Sequence, residues 1–499
     1  MLDLIIGLFP VFFLIIGIIF ASKSVRSAII LHLIGIVATI AVVFIGPTYN
    51  YGPLQVNSLT YFVYAITFLN GFIVLSVLQK RPMEIKQKSL FVLIYQIIEL
   101  LIILIFITEN IIIIACSFFA ETMLFYTLSI SGHYPKDRKR LNYSQTLLLI
   151  GGVAFIALIL ILVMVTGSSS ISEISAQIRV EDYYLKLIIF TLSVCAFLLP
   201  IILFPAIRTE SIVWVESNHY ISHSKSMLQS PAQMLLLFKL LNELKIFEYS
   251  NLNIENVNRG IALSLLGVLG VIVGVIYAIS ELFGVLKEKS RNFKKINGAL
   301  SFSFFNVIVI LYGQIPYIQD QTLMRNWGIG IVILIMMWLI INQLLYAATI
   351  INLDDRSINN VAVARFEKPK INSAWVYIFI AALVLTPGLI GYIGLVNLGE
   401  VLLNVSFSMD IAILTVNVGF ISLIAIFILF LLIMVAYDGL VFYKIKHKIG
   451  EFNYIVENYS DYIPIFVTIG ILVFATVSYY LSNMTVNEYL TNLIGSLFI

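Results

Sequence analysis

Apolar runs of about 20 residues recur along the whole chain, and a helix needs about 20 residues to cross a hydrocarbon core roughly 30 Å thick. This repeat constrains the fold more than any other feature, because the connections between the runs leave no room for a soluble domain. Of 499 residues 60% are apolar and 11% charged, against roughly 25% charged in an ordinary soluble domain. The chain reads as an all-α polytopic integral membrane protein. Its first run, MLDLIIGLFPVFFLIIGIIFA, has neither a basic leader nor a small-residue cleavage site and reads as a retained first span.

About fourteen spans are expected, centred near residues 12, 37, 68, 98, 120, 155, 195, 238, 273, 307, 340, 387, 423 and 472. Positive charge tests the count, since cytoplasmic loops carry an excess of Lys and Arg. The loops after the odd-numbered spans hold 24 of the 30, and only Arg179, Lys186, Lys239, Lys245, Arg259 and Arg325 lie elsewhere. That asymmetry puts both termini on the outer side. It also explains the net charge of +3 as topology rather than as nucleic-acid binding. Cys116 and Cys195 sit inside apolar runs and read as small buried hydrophobes, not as a disulfide or a metal pair.

Charge at bilayer depth costs several kcal/mol and usually faces a protein interior or a wet path. Glu99 lies near the centre of span 4 and Glu121 near the centre of span 5. Lys239 lies in SPAQMLLLFKLLNEL of span 8, with Glu243 one turn on. A carboxyl at Glu121 is a costly way to fill space, which favours a functional role. Glu243 is near enough to its helix end to snorkel, and a Lys–Glu pair four residues apart also has a structural use. His32, a lone imidazole in span 2, reads as a hydrogen-bonded core residue.

Prolines mark breaks. Span 7 reads LSVCAFLLPIILFPAI with Pro200 and Pro205 inside it, and span 12 reads AALVLTPGLIGYIGLV with Pro387 and Gly388. Proline removes a donor and collides with the preceding turn, and interrupted helices persist in membranes where protein or a wet cavity covers them. The breaks are five spans apart. An odd number of spans reverses orientation, so the spacing predicts two inverted five-helix repeats. The organisation expected is spans 1 to 3 over 1–88, a first repeat over 89–250, a second over 251–440, and a last span over 441–499.

With these features in place the chain resembles the antiporter-like membrane subunits of respiratory complex I, shared with membrane-bound hydrogenases and multisubunit cation/proton antiporters. The matching stretches are ENIIIIACSFFAETMLFYTLSISG with Glu121, SPAQMLLLFK with Lys239, NFKKINGALSFSFFN with Lys294 and Lys295, and TPGLIGYIGL. The resemblance covers nearly the whole chain and implies a prokaryotic cell-membrane protein and a subunit of a redox-driven ion pump. Sister membrane subunits and lipid would be its partners, and protons or sodium ions its cargo. It implies a proton path through Glu121 and Lys239, with Glu99 and Glu243 as further titratable groups.

The chain departs from the family in three places. No basic residue stands between Leu198 and Pro200, Leu395 stands where the family has a Lys or Glu, and SFSFFN has no histidine. Glu400 is then the candidate carrier toward the outer side. No cofactor is expected in this chain, because it has no cysteine cluster, no paired histidines for haem and no dinucleotide fingerprint. Two further readings stay open. One is a non-conducting structural subunit of the same kind of complex, the other an independent secondary transporter or flippase.

Overall fold

The structure is a computed structural model that describes residues 2–21, 24–46, 48–79, 85–130, 135–178, 183–200, 219–247, 254–286 and 293–318, scattered residues between 324 and 339, and short segments at 408–411, 414–417 and 492–493. The helices within it are α1 (Leu2–Ala21), α2 (Val25–Ile45), α3 (Ser58–Gln79), α4 (Ile85–Ile107), α5 (Ile111–Ile130), α6 (Pro135–Thr166), α7 (Ile171–Gln177), α8 (Tyr183–Ser193), α9 (His219–Ser224), α10 (Ser230–Glu243), α11 (Ile254–Leu286) and α12 (Phe293–Tyr312). Seven helical segments, in α1 to α6 and α11, are long and apolar enough to cross a membrane. Helix lies at each of the first ten expected span centres. The centres at 340, 387, 423 and 472 fall outside the described residues, as do Pro205, Pro387, Gly388 and Glu400.

Each helix takes its place from where its apolar residues point. On α1 the residues Ile5, Phe9, Phe12, Ile15 and Ile19 recur at helical spacing and face outward from the bundle, while Val11 and Leu14 are buried on the other side. Helices α2, α6 and α11 likewise show one outward stripe, carried on α6 by Ile150, Val153, Ile156 and Leu160. Helix α3 is mostly enclosed. Helix α10 goes further, since every residue from Ser230 to Leu241 is buried, and a helix covered on all sides can carry polar side chains out of contact with lipid.

Cys116 faces outward from α5 as a free thiol, contrary to the buried place its apolar run suggested, and Cys195 is half-buried and also free. Two antiparallel hairpins interrupt the helical pattern, β1 (Tyr49–Tyr51) with β2 (Leu54–Val56), and β3 (Ser408–Ile411) with β4 (Leu414–Asn417). The first turns at Gly52, whose positive φ of 63° suits glycine. It is tied to the end of α4 by an isolated bridge between Leu54 and Thr108.

Span 7 changes its winding just ahead of its first proline, and the residues after Pro200 lie outside the described residues. Helix α8 runs into a wide π turn, Val194–Leu198, closed by Leu199 N–H donating to the Val194 carbonyl five residues back at 3.1 Å. In an α-helix the Pro200 ring would strike the carbonyl of Ala196; the extra residue per turn moves it aside. Helix α6 approaches this point through Gly151, where a Cβ would lie 2.6 Å from the Ala196 carbonyl oxygen and 2.8 Å from Pro200 Cγ. A second π turn, Lys225–Gln229, precedes Pro231 in the same way and joins α9 to α10. The polar stretch HYISHSKSMLQ, read from the sequence as loop, is therefore helical, and its residues from His223 to Gln229 are buried.

Candidate functional site

The α9–α10 helix carries polar side chains along its length. His223, Ser224, Lys225, Ser226, Gln229, Ser230, Gln233 and Lys239 are all buried, and Glu243 closes α10 with its Oε2 shielded from solvent. From Lys225 to Glu243 the helix rises about 27 Å at roughly 1.5 Å per residue, close to the hydrocarbon thickness of a bilayer. One enclosed helix thus strings polar groups over a length comparable to that of a bilayer's hydrocarbon core.

Glu121 is buried on α5 and faces this helix. Its Oε2 accepts a hydrogen bond from Thr122 Oγ1 at 3.3 Å. Across the gap stand the Gln229 and Gln233 amides, which bear on the same carboxyl but lie beyond hydrogen-bond geometry, leaving Glu121 Oε1 and both Gln233 amide atoms without a partner among the described residues. Glutamines at positions four apart present two orientable dipoles on one helix face.

Lys239 meets a different set. Its Nζ donates to the Thr108 carbonyl at 3.5 Å, and its nearest acidic influence is Glu243, on which Glu109 also acts. Among the described residues no carboxylate comes within ion-pair distance of Lys239. Glu121 and Lys239 therefore stand as two separate stations on the same line, joined by the helix between Gln233 and Lys239.

Glu109, which acts on Glu243, also lines a polar pocket of about 390 Å³ together with Gly52, Pro53, Asn110, Ser170, Ser172 and Glu173. The pocket is held by backbone pairing between three connections: Glu109 N–H donates to the Pro53 carbonyl at 2.9 Å and Ile171 N–H to the Glu109 carbonyl at 3.0 Å. Ser172 Oγ donates to Glu109 Oε2 at 3.4 Å.

Glu99 lies apart from this line. Its Oε2 sits 2.8 Å from His32 Nε2 in a fully buried pair. His32 is thus the hydrogen-bonded core residue expected, with a partner 67 residues away that the sequence did not disclose. Sequence reasoning also missed Lys225 and His223. The sequence places Lys225 among the loop charges, yet the structure buries it one turn before Gln229. The available signal is a twelve-residue stretch, 219–230, rich in hydroxyls yet free of Asp, Glu, Gly and Pro, directly ahead of an apolar helix.

No family model and no curated protein sequence matches this chain. Solved structures do. A chain of the Mrp complex from Dietzia sp. DQ12-45-1b superposes with a TM-score of 0.70 at 12% identity, over 99% of this chain and 52% of that one. A chain of respiratory complex I from Thermus thermophilus gives 0.65 at 13% identity over 99% of both. A chain of the membrane-bound sulfane sulfur reductase, an archaeal respiratory membrane complex, gives 0.64 at 17% identity, over 97% of this chain and 77% of that one. The fold is therefore shared with chains of these three membrane complexes. This chain spans about half the length of the Mrp chain it matches, and identities this low speak for fold alone.

Proposed function

We propose that this protein is an antiporter-like subunit of a redox-driven ion pump, related to complex I or to a membrane-bound hydrogenase, and that it moves protons along the α9–α10 line. The single observation that carries this reading is the run of buried polar groups on a helix enclosed on every side. The route passes from Lys225 along Gln229, Gln233 and Glu121 to Lys239 and Glu243, and opens at Glu109 into the polar pocket. It does not depend on the lysines that spans 7 and 12 lack. Glu400 serves a second half-path in span 12.

The chemistry follows from charge. Transfer of a proton from an ammonium to a carboxylate removes two charges from a low-dielectric interior, and the reverse step restores both, so a push from a neighbouring subunit can bias the line either way. Sister membrane subunits supply that push, since this chain's expected cofactor content is none. The wider architecture proposed is fourteen spans with two inverted five-helix repeats over 89–250 and 251–440. Both termini lie on the outer side, as does the pocket, whose connections are poor in Lys and Arg.

Replacement of Glu121 with Gln tests the reading in native membrane vesicles. Loss of coupled proton or sodium transport at unchanged protein abundance is expected; transport at the parent rate would reject it and favour the non-conducting structural subunit. Purification of the tagged chain in mild detergent, with mass spectrometry of what accompanies it, separates both from an independent transporter, which would come away alone.

A further inference from the structure

His32 on α2 and Glu99 on α4 are both buried, and the line through α10 makes no use of them. His32 Nδ1 lies 2.8 Å from the Ala28 carbonyl, which can only accept, so Nδ1 carries a proton. Nε2 then faces Glu99 Oε2 at 2.8 Å, a distance that requires one more proton between them, on the ring or on the carboxyl. The second carboxyl oxygen, Glu99 Oε1, has no partner among the described residues and packs against Gly71 of α3, where any Cβ would collide with it and with the imidazole. The pair therefore holds one bridging proton and offers a site for a second.

Its surroundings lead to the α9–α10 helix. Asn70, next to Gly71 on α3, donates through Nδ2 to the Tyr95 hydroxyl at 2.5 Å. Tyr95 lies one turn from Glu99 on α4, and Ser224 Oγ donates to the same hydroxyl at 3.3 Å. Ser224 directly precedes Lys225. Phe68 of α3 covers the imidazole edge-on, Gln96 turns from α4 toward Gly17 of α1, and among the described residues no third ionisable side chain acts on either member of the pair.

We propose that His32 and Glu99 form a second proton-holding unit that cycles between one and two shared protons and exchanges the second with the α9–α10 line by way of water and the Tyr95 and Ser224 hydroxyls, with Asn70 fixing the Tyr95 oxygen. A water takes the proton between Glu99 Oε1 and the Tyr95 hydroxyl in both directions, so no electron moves and only O–H and N–H bonds are made or broken. The inference rests on the conducting reading for its transport readout, but the pair has its own spectroscopic one.

The test uses the full chain in its native complex. Glu99→Gln and His32→Asn should each lower transport by at least about tenfold and change its pH profile at unchanged abundance, with the double variant no worse than either. Transport with the parent pH profile in Glu99→Gln overturns the proposal, as does loss of abundance without any change in that profile, the mark of a brace between α2 and α4. Where a variant fails to accumulate, nitrogen-15 resonance spectra of the histidine-labelled parent chain, with its five histidines, decide instead. Nε2 of His32 switching between bonded forms across the pH range of transport supports the unit, and a single unchanging form rejects it. An inactive Glu121→Gln beside an active Glu99→Gln rejects this inference and keeps the central line; the reverse pattern supports the pair and removes only Glu121 from the line.

Discussion

Replacement of Lys239 with Met should move stability and function in opposite directions. The Lys239 side chain is 1% exposed and has one long hydrogen bond, at 3.5 Å to the Thr108 carbonyl. An ammonium has three donors, so at least two are left without a direct partner among the described residues. Each unsatisfied donor of this kind costs about 1–3 kcal/mol, and replacing buried charge with an apolar side chain of similar volume is often stabilising by about 1–4 kcal/mol. Methionine fits the space with little strain because it is unbranched and adaptable. Glu243 loses its opposite charge but can take up a proton, which caps the loss. The net expectation is a stabilisation of about 1–3 kcal/mol, seen as a rise of a few degrees in the thermal aggregation midpoint of the tagged complex in mild detergent. Transport in vesicles should fall by at least about tenfold. A destabilised variant that transports normally would refute the reasoning, because it would make Lys239 a structural anchor.

Glu109→Gln should lower transport several-fold with the driving gradient imposed from the pocket side and leave abundance unchanged, as measured by flux in vesicles of both orientations. Gly151→Val should cost about 1–3 kcal/mol through overpacking against Ala196 and Pro200, visible as a lower amount of protein in the membrane and a lower melting midpoint. Cys116→Leu should change neither abundance nor transport, since the side chain faces outward beside the equally exposed Ile112 and Ile113; a loss on immunoblot would show that a partner covers this face.

The sequence made the helices legible because bilayer thickness imposes one length on every span, and that length survives without any knowledge of packing. It also singled out Glu121 and Lys239, since a lone charge in an apolar run is conspicuous. What it hid was anything decided by neighbours distant in the chain. Lys225 sits among hydroxyls and amides and looks like loop, and only its contacts with α3 and α5 turn that stretch into buried helix. The pairing of His32 with Glu99 leaves no local trace, and neither periodicity nor spacing can report it. A disturbance of the helix near Pro200 is readable from one residue, whereas the π turn that leads into Pro231 is not, because proline near a helix start is ordinary. The hairpin at Tyr49–Val56 has a Gly-Pro turn signal, but its flanks are too short to stand out between two spans.

The enclosure of α9 and α10 has a consequence for how the chain is made. Helix α10 is 14 residues long and, among the described residues, does not count with the helices long and apolar enough to cross a membrane. Helices α3, α4 and α5 emerge from the ribosome earlier and provide the walls against which the later helix packs. The residence of α9 and α10 in the bilayer is thus conferred by the bundle already in place, which makes the arrival of the polar helix a late and order-dependent event in biogenesis.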